Sequence, residues 1–231
     1  MARALLTAIV ALLLAWPGTA AAAADPLVGR LGQWPDWRLP APLERPRGAD
    51  LLYPDWFAGP WQVQDSEGTR YVVRFRTRAD GAVVGERAAN AFAVGRAVLG
   101  EQLLAVQDDP ADPNRQLARL AGDGLLDSRV VGRSSTTPGP DLFLADELSL
   151  QVLHRPGQPP RLSRVETLSR YERQADGSIR GLQRQAVYSS PEAGLRVAAS
   201  ASHTATLDLV PLLQSGNTPG MTDATAADQR G

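Results

Sequence analysis

The sequence predicts an all-β protein, an antiparallel meander closed into a β-barrel with one short helix. Three observations predict it. Between residues 51 and 212, segments with apolar residues at every second position recur, about ten in all. Tight-turn signals such as Ala79-Asp80-Gly81 and Ala175-Asp176-Gly177 separate them. Glycine (21) and proline (18) are both abundant in the 231 residues, in keeping with a turn-rich chain. This length supports a single domain with a sizeable core.

The elements follow in order. Residues 25–50 are rich in Pro, Arg and Trp (Gly32-Gln33-Trp34-Pro35-Asp36-Trp37-Arg38-Leu39-Pro40), and the prolines at 35, 40, 42 and 46 predict an extended arm. Tyr53-Pro54-Asp55-Trp56-Phe57-Ala58-Gly59-Pro60-Trp61 reads as an aromatic turn that plugs one barrel end, with Gly59 bending the chain and Trp61 facing inward. The first strand is Trp61–Gln64. The clearest is Arg70–Arg78, with Tyr71, Val73, Phe75 and Thr77 on the core face and Arg70, Arg74, Arg76 and Arg78 in water. Ala82–Arg87 completes this group. Asn90–Leu99 suits a short helix capped by Asn90 and stopped by Gly100, with a strand as the alternative. Seven further strands are expected, at Gln102–Gln107, Arg115–Ala121, Leu125–Ser135, Asp141–Leu153, Arg161–Gln174, Ser178–Tyr188 and Leu195–Leu209. The domain layout is then a leader (1–24), the arm (25–50), the barrel (51–212) and a polar, disordered tail (213–231).

The leader has the three parts of a secretory signal peptide. Arg3 supplies the positive start, Ala4–Trp16 the apolar run, and Ala22-Ala23-Ala24 the small residues of a cleavage site before Asp25. The apolar run is too short for a comfortable bilayer span. No later segment is apolar enough to span, so the mature chain is expected to be exported and soluble. Cysteine is absent, and all 24 basic residues are arginine. That composition excludes disulfides, thiolate chemistry and lysine Schiff bases. A formal charge of −1 argues against nucleic acid as a partner.

Few residues offer chemistry. Leu142, Leu144, Leu148, Leu150 and Val152 share a face with Asp146. A carboxylate there must be paired, or its pKa rises. Three readings stand: a buried Asp–Arg bridge, a ligand-facing carboxylate, and a general acid or base. His203 lies in register with Ala199, Ala201, Ala205 and Leu207 and reads as a hydrogen-bonded core residue; His154 reads as a loop residue. The two histidines lack metal-ligand spacing, and no metal or cofactor is expected. Asp108-Asp109-Pro110-Ala111-Asp112-Pro113-Asn114 reads as side-chain-capped turns, with calcium as the alternative. The small residues from Ala198 to Ala205 leave room in a barrel, either for Trp56 or Phe57 of the plug or for a ligand.

The Gly59-x-Trp61 pair after an aromatic turn resembles the first motif of the lipocalins and other calycins. The resemblance implies a calycin-like barrel in which a late-strand arginine, Arg170 or Arg184, stacks over Trp61. The stretches Leu52–Trp61, Asp109–Arg115 and Arg164–Tyr171 also resemble an uncharacterised domain family of cyanobacteria with relatives in chloroplasts. That likeness implies an exported protein of the periplasm or thylakoid lumen, and no activity.

The expected function is a non-enzymatic binding module for a small apolar ligand, with Tyr71, Val73, Phe75, Leu148 and Leu150 lining the cavity and Asp146 as polar anchor. The alternative is an interaction or assembly factor for a photosynthetic membrane complex, with Trp34–Trp37 as the contact. A third reading, an isomerase- or hydrolase-like enzyme around Asp146 or Glu166, requires a second ionisable group within hydrogen-bond reach.

Overall fold

Turn chemistry sets the strand boundaries. Asp65, Asp80 and Asp176 each accept a hydrogen bond from a backbone N–H two residues on, at Glu67, Ala82 and Ser178, and so fold the hairpins. A computed structural model describes residues 25–188 and 199–212. The leader, the tail from 213, and residues 195–198 of the last expected strand lie outside the described residues.

Ten strands form: β1 (Gly59–Asp65), β2 (Arg70–Thr77), β3 (Val83–Gly85), β4 (Leu103–Asp108), β5 (Arg115–Leu120), β6 (Gly124–Gly139), β7 (Leu142–Arg155), β8 (Gln158–Arg173), β9 (Ile179–Tyr188) and β10 (Ala201–Pro211). They build one antiparallel sheet in the order β3-β2-β1-β10-β9-β8-β7-β6-β5-β4. Sequence neighbours pair everywhere except at β3 and β4, while β10 returns to pair with β1.

The expected closed barrel is therefore a curled half-barrel with one gap. Helix α2 (Arg87–Leu99) leaves β3 after only three strand residues and packs against β2 and β4. Its Asn90 does not cap the helix. Instead the Asn90 amide donates to the Arg74 carbonyl and accepts from the Arg74 N–H, both at 2.8 Å. A side-chain amide thus takes the place of a strand neighbour and blunts this edge. Gly100 ends α2 as expected.

The inner face carries the plug. Phe57, fully buried, lies 4.9 Å from Phe75 on β2, 5.9 Å from Phe143 on β7 and 5.2 Å from Tyr171 on β8, between ring centroids. β2 and β7 are separated by four strands in the sheet, so one side chain reaches both only across the inside of the curl. Gly59, at φ +112°, makes the bend into β1 that an L side chain would strain. Trp61 faces inward, and its indole N–H donates to the Phe57 carbonyl at 2.7 Å. Ala205 joins this core with Val63, Val73, Ile179 and Leu207. Burying a side chain the size of Phe57 contributes about 2–3 kcal/mol.

The outer face of β7–β9 is apolar too, at Leu144, Leu168, Ala186 and Tyr188. It cannot face water, and the N-terminal arm covers it. This corrects the extended arm. Asp25 accepts a hydrogen bond from the Leu27 N–H, Pro26 occupies the first turn, and helix α1 (Pro26–Gly32) forms ahead of Pro35. Leu27 and Trp37 are buried against the sheet, and Glu44 bridges to Arg133 on β6.

Both histidines are exposed: His203 lies in the first half of β10, where every residue is exposed, and His154 lies in the last turn-side stretch of β7, not in a loop. The inward burial of β10 starts only at Ala205, level with the plug.

Candidate functional site

Three strands place three polar side chains on the outer face beneath the arm. Asp146 on β7 sits opposite Leu168 of β8, and Glu166 opposite Leu148, so the two carboxyls are diagonal neighbours on one face. Tyr188 on β9 stands diagonally beyond Glu166, whose direct partner is Ala186. Both carboxyls have zero solvent exposure.

The arm supplies the counter-charge. The α1 helix presents Arg30 in its last turn, and the guanidinium grips Glu166 with two bonds, Nε to Oε1 at 2.8 Å and Nη2 to Oε2 at 2.9 Å. Glu166 Oε2 also accepts from the Tyr188 hydroxyl at 2.9 Å and from the Ala41 N–H at 3.1 Å. Trp37 locks the arginine in place: its indole N–H donates to the Arg30 carbonyl at 3.0 Å, and the guanidinium carbon lies 4.2 Å from its ring centre. Burial opposes the charge on Arg30, but the Glu166 carboxylate more than offsets this and raises its pKa. Burial also raises the pKa of the Tyr188 phenol, and the Glu166 charge adds to it.

Asp146 is different. Neither of its oxygens has a donor to accept from, and the side chain within its reach is the Glu166 carboxyl. Loss of solvent pushes its pKa up to about 7, and the neighbouring Glu166 charge adds to the rise, with Arg30 only partly opposing. The expected Asp–Arg bridge thus forms at Glu166, because β8 brings that carboxylate within reach of α1. Asp146 remains the unpaired member of two carboxyls that share one guanidinium.

Asp146 also lines a cleft of about 780 Å³ between arm and sheet, together with Arg30, Leu39, Pro40, Leu43 and Ser134. Leu27, Pro42, Arg38 and Arg133 complete much of its wall. Arg133 is already held by Glu147 at 2.7 Å and by Asn114 at 2.8 Å. Inside the curl, a smaller cavity of about 250 Å³ lies among Tyr53, Asp50, Arg87, Asn114 and Glu147.

The structure splits the expected ligand-lining set. Tyr71, Val73 and Phe75 pack on the inner face around Phe57, and burial raises the Tyr71 phenol to about 12. Asp146 and Leu148 lie on the outer face, and Leu150 follows them by alternation. Arg170 and Arg184 share that outer face and so cannot reach Trp61. Arg170 pairs with Glu172 at 2.9 Å, and Arg184 lies over Trp34 at 5.3 Å. The Trp34–Trp37 arm is committed to the sheet, with Trp37 only 2% exposed, so it is not a free contact surface. In the acidic loop, Asp109 and Asp112 accept from the N–H groups of Ala111 and Asn114, as expected of capped turns. Sequence reasoning missed Arg30 and Tyr188, and it read Trp37 as a partner contact where the structure has it holding Arg30. The spacing of Leu27, Leu31 and Trp34 by four and three residues was a signal for an apolar stripe on the arm.

Residues 64–205 match the model of a family described as a domain of unknown function (DUF6816), well over half of the chain. The chain belongs to the DUF6816 family. Neither a curated protein nor a solved structure matches it. The DUF6816 match contains Asp146, Glu166 and Tyr188, whereas Arg30 and Trp37 lie N-terminal to it. No helix among the described residues of this DUF6816 protein is long and apolar enough to cross a membrane.

Proposed function

We propose that the protein is a non-enzymatic binding module for a small, mainly apolar ligand, held between arm and sheet with Asp146 as polar anchor. One observation carries the reading: a fully buried carboxyl without a partner lines a cleft of about 780 Å³. Small-molecule sites fall in the range of about 300–1,000 Å³, with apolar walls and a few polar groups. Leu27, Leu39, Pro40, Pro42 and Leu43 supply such walls. The cavity beside Tyr53 is smaller, and the buried carboxyl without a donor lines the outer cleft, so the outer cleft is favoured over the barrel interior.

Enzymatic chemistry at the pair is disfavoured by the commitments of Glu166. Arg30, Tyr188 and Ala41 all donate to Glu166, which commits it as the counter-charge of Arg30 rather than as a free acid or base. The compartment we propose is outside the cytoplasm, in the periplasm or thylakoid lumen of a photosynthetic organism. The leader pattern and the family resemblance support it.

Mass spectrometry of the native protein, purified from its own cells, tests the reading. One small apolar species per chain is expected, lost in a Ser134→Trp variant that fills the cleft. A protein that retains nothing, or retains the species equally in both forms, refutes it. Co-purification of a membrane-complex subunit in place of a small molecule would favour the assembly-factor alternative.

A further inference from the structure

Beneath the arm, Asp146 and Glu166 meet the guanidinium of Arg30, and that guanidinium is spent on Glu166. The other charged groups around Asp146 do not neutralise it. Arg133, from β6, is bonded to Glu147, Asn114 and the Ala49 carbonyl. Glu147, next along β7, points to the other side of the sheet and adds negative charge. From β9, Tyr188 is neutral and donates to Glu166, while Arg184 stacks on Trp34 and bonds Thr204. Arg164, from β8, lies 6.0 Å from the Tyr188 ring. On the arm, Asp36, Arg38 and Glu44 are exposed at the cleft mouth, where water screens them. One negative charge at Asp146 is left without compensation.

A buried carboxyl in this position takes up a positive charge in one of two ways: a proton, or the cationic head of a ligand. We infer that the occupant of this cleft is an organic cation, a primary ammonium group on an apolar body, and that it enters in exchange for the proton of Asp146. The inference rests on the reading of the cleft as a binding site and adds the charge of its occupant. The step balances: the Asp146 carboxylic acid loses its proton to solvent, and the carboxylate accepts hydrogen bonds from the incoming ammonium. Exposed Leu39 and Pro42, with Leu43, receive the apolar body. A carboxylate ligand would meet Asp146 and Glu166 as like charges. An alcohol would bind without exchanging a proton.

The test uses n-octylammonium, octanoate and octanol as probes, with titration calorimetry on the mature chain between pH 5.5 and 8.5 in two buffers of different ionisation enthalpy. Octylammonium is expected to bind at least tenfold tighter than octanoate. Its Kd should tighten about tenfold per pH unit up to about pH 7 and then level off, with close to one proton released per ligand at the acid end. Asp146→Asn should weaken binding at least tenfold and flatten the pH profile, and Ser134→Trp should block the probe while leaving Asp146 in place. A pH-independent Kd, equal binding of octanol or octanoate, or no binding of any probe overturns the cation assignment. In those cases the retained-ligand measurement still judges the cleft. If Ser134→Trp leaves octylammonium binding unchanged, the cleft is not the site, and both readings fall.

Discussion

Replacing Asp146 with asparagine separates the two accounts of this residue. The folded protein holds Asp146 protonated up to about pH 7, against an ordinary carboxyl value of 3.8. Between those values the native state binds a proton that the unfolded chain does not, so stability falls as pH rises through this window and is flat above it. Each unit is worth about 1.4 kcal/mol. The wild type therefore gives up about 3 kcal/mol between pH 5 and pH 8 through this residue. The amide that Asp146→Asn introduces has no charge to bury, and it can donate to Glu166. Urea denaturation of both proteins at pH 5 and pH 8 isolates the effect, because other titrations cancel in the difference. The variant is expected to gain about 3 kcal/mol relative to wild type on going from pH 5 to pH 8. An Asp146 ion-paired with arginine predicts the opposite, a loss in Asp146→Asn that is largest at pH 8. The same difference at both pH values would also refute the reasoning.

The arm yields three more predictions. Arg30→Met leaves the Glu166 carboxylate buried with only neutral donors, and should cost about 3–5 kcal/mol in urea denaturation, with most of it recovered in the Arg30→Met/Glu166→Met pair. Gly132→Ala would place a methyl carbon 2.8 Å from Leu43 Cβ and 3.5 Å from Leu148 Cβ. It should lift the arm at a cost of about 1–3 kcal/mol, seen as faster trypsin cleavage after Arg38. Deleting residues 25–50 should expose Leu144, Leu168 and Tyr188 and give a chain that binds the dye ANS and aggregates; an arm that merely extends into solvent would be dispensable.

The strands were legible because their signals are local. The Asp-Gly turns mark the hairpins, and the alternation in Arg70–Arg78 assigns its faces without any partner. The plug was legible for the same reason, since Tyr53, Trp56, Phe57 and Gly59 lie within seven residues of one another. Closure was not legible. It depends on whether β3 and β4 pair, and neither strand's pattern encodes that; a helix between them held by Asn90 on Arg74 prevents it. Proline spacing forbade a long helix in the arm but carried no information about docking. Asp146 stood out on its leucine face, yet its relation to Glu166 comes from the β7–β8 register, and the claim of Arg30 on Glu166 spans 136 residues. Arg170 and Arg184 could be counted as arginines of late strands, but their side of the sheet follows from that same register.

The central claim is that arm and sheet enclose an unpaired carboxyl at Asp146. A carbon-13 NMR titration of the side-chain carboxyls, with the Asp146 signal assigned by its loss in Asp146→Asn, tests it most directly. The account predicts a midpoint near pH 7. A midpoint at or below the ordinary 3.8 would show Asp146 ionised and paired in the folded protein, and would contradict it.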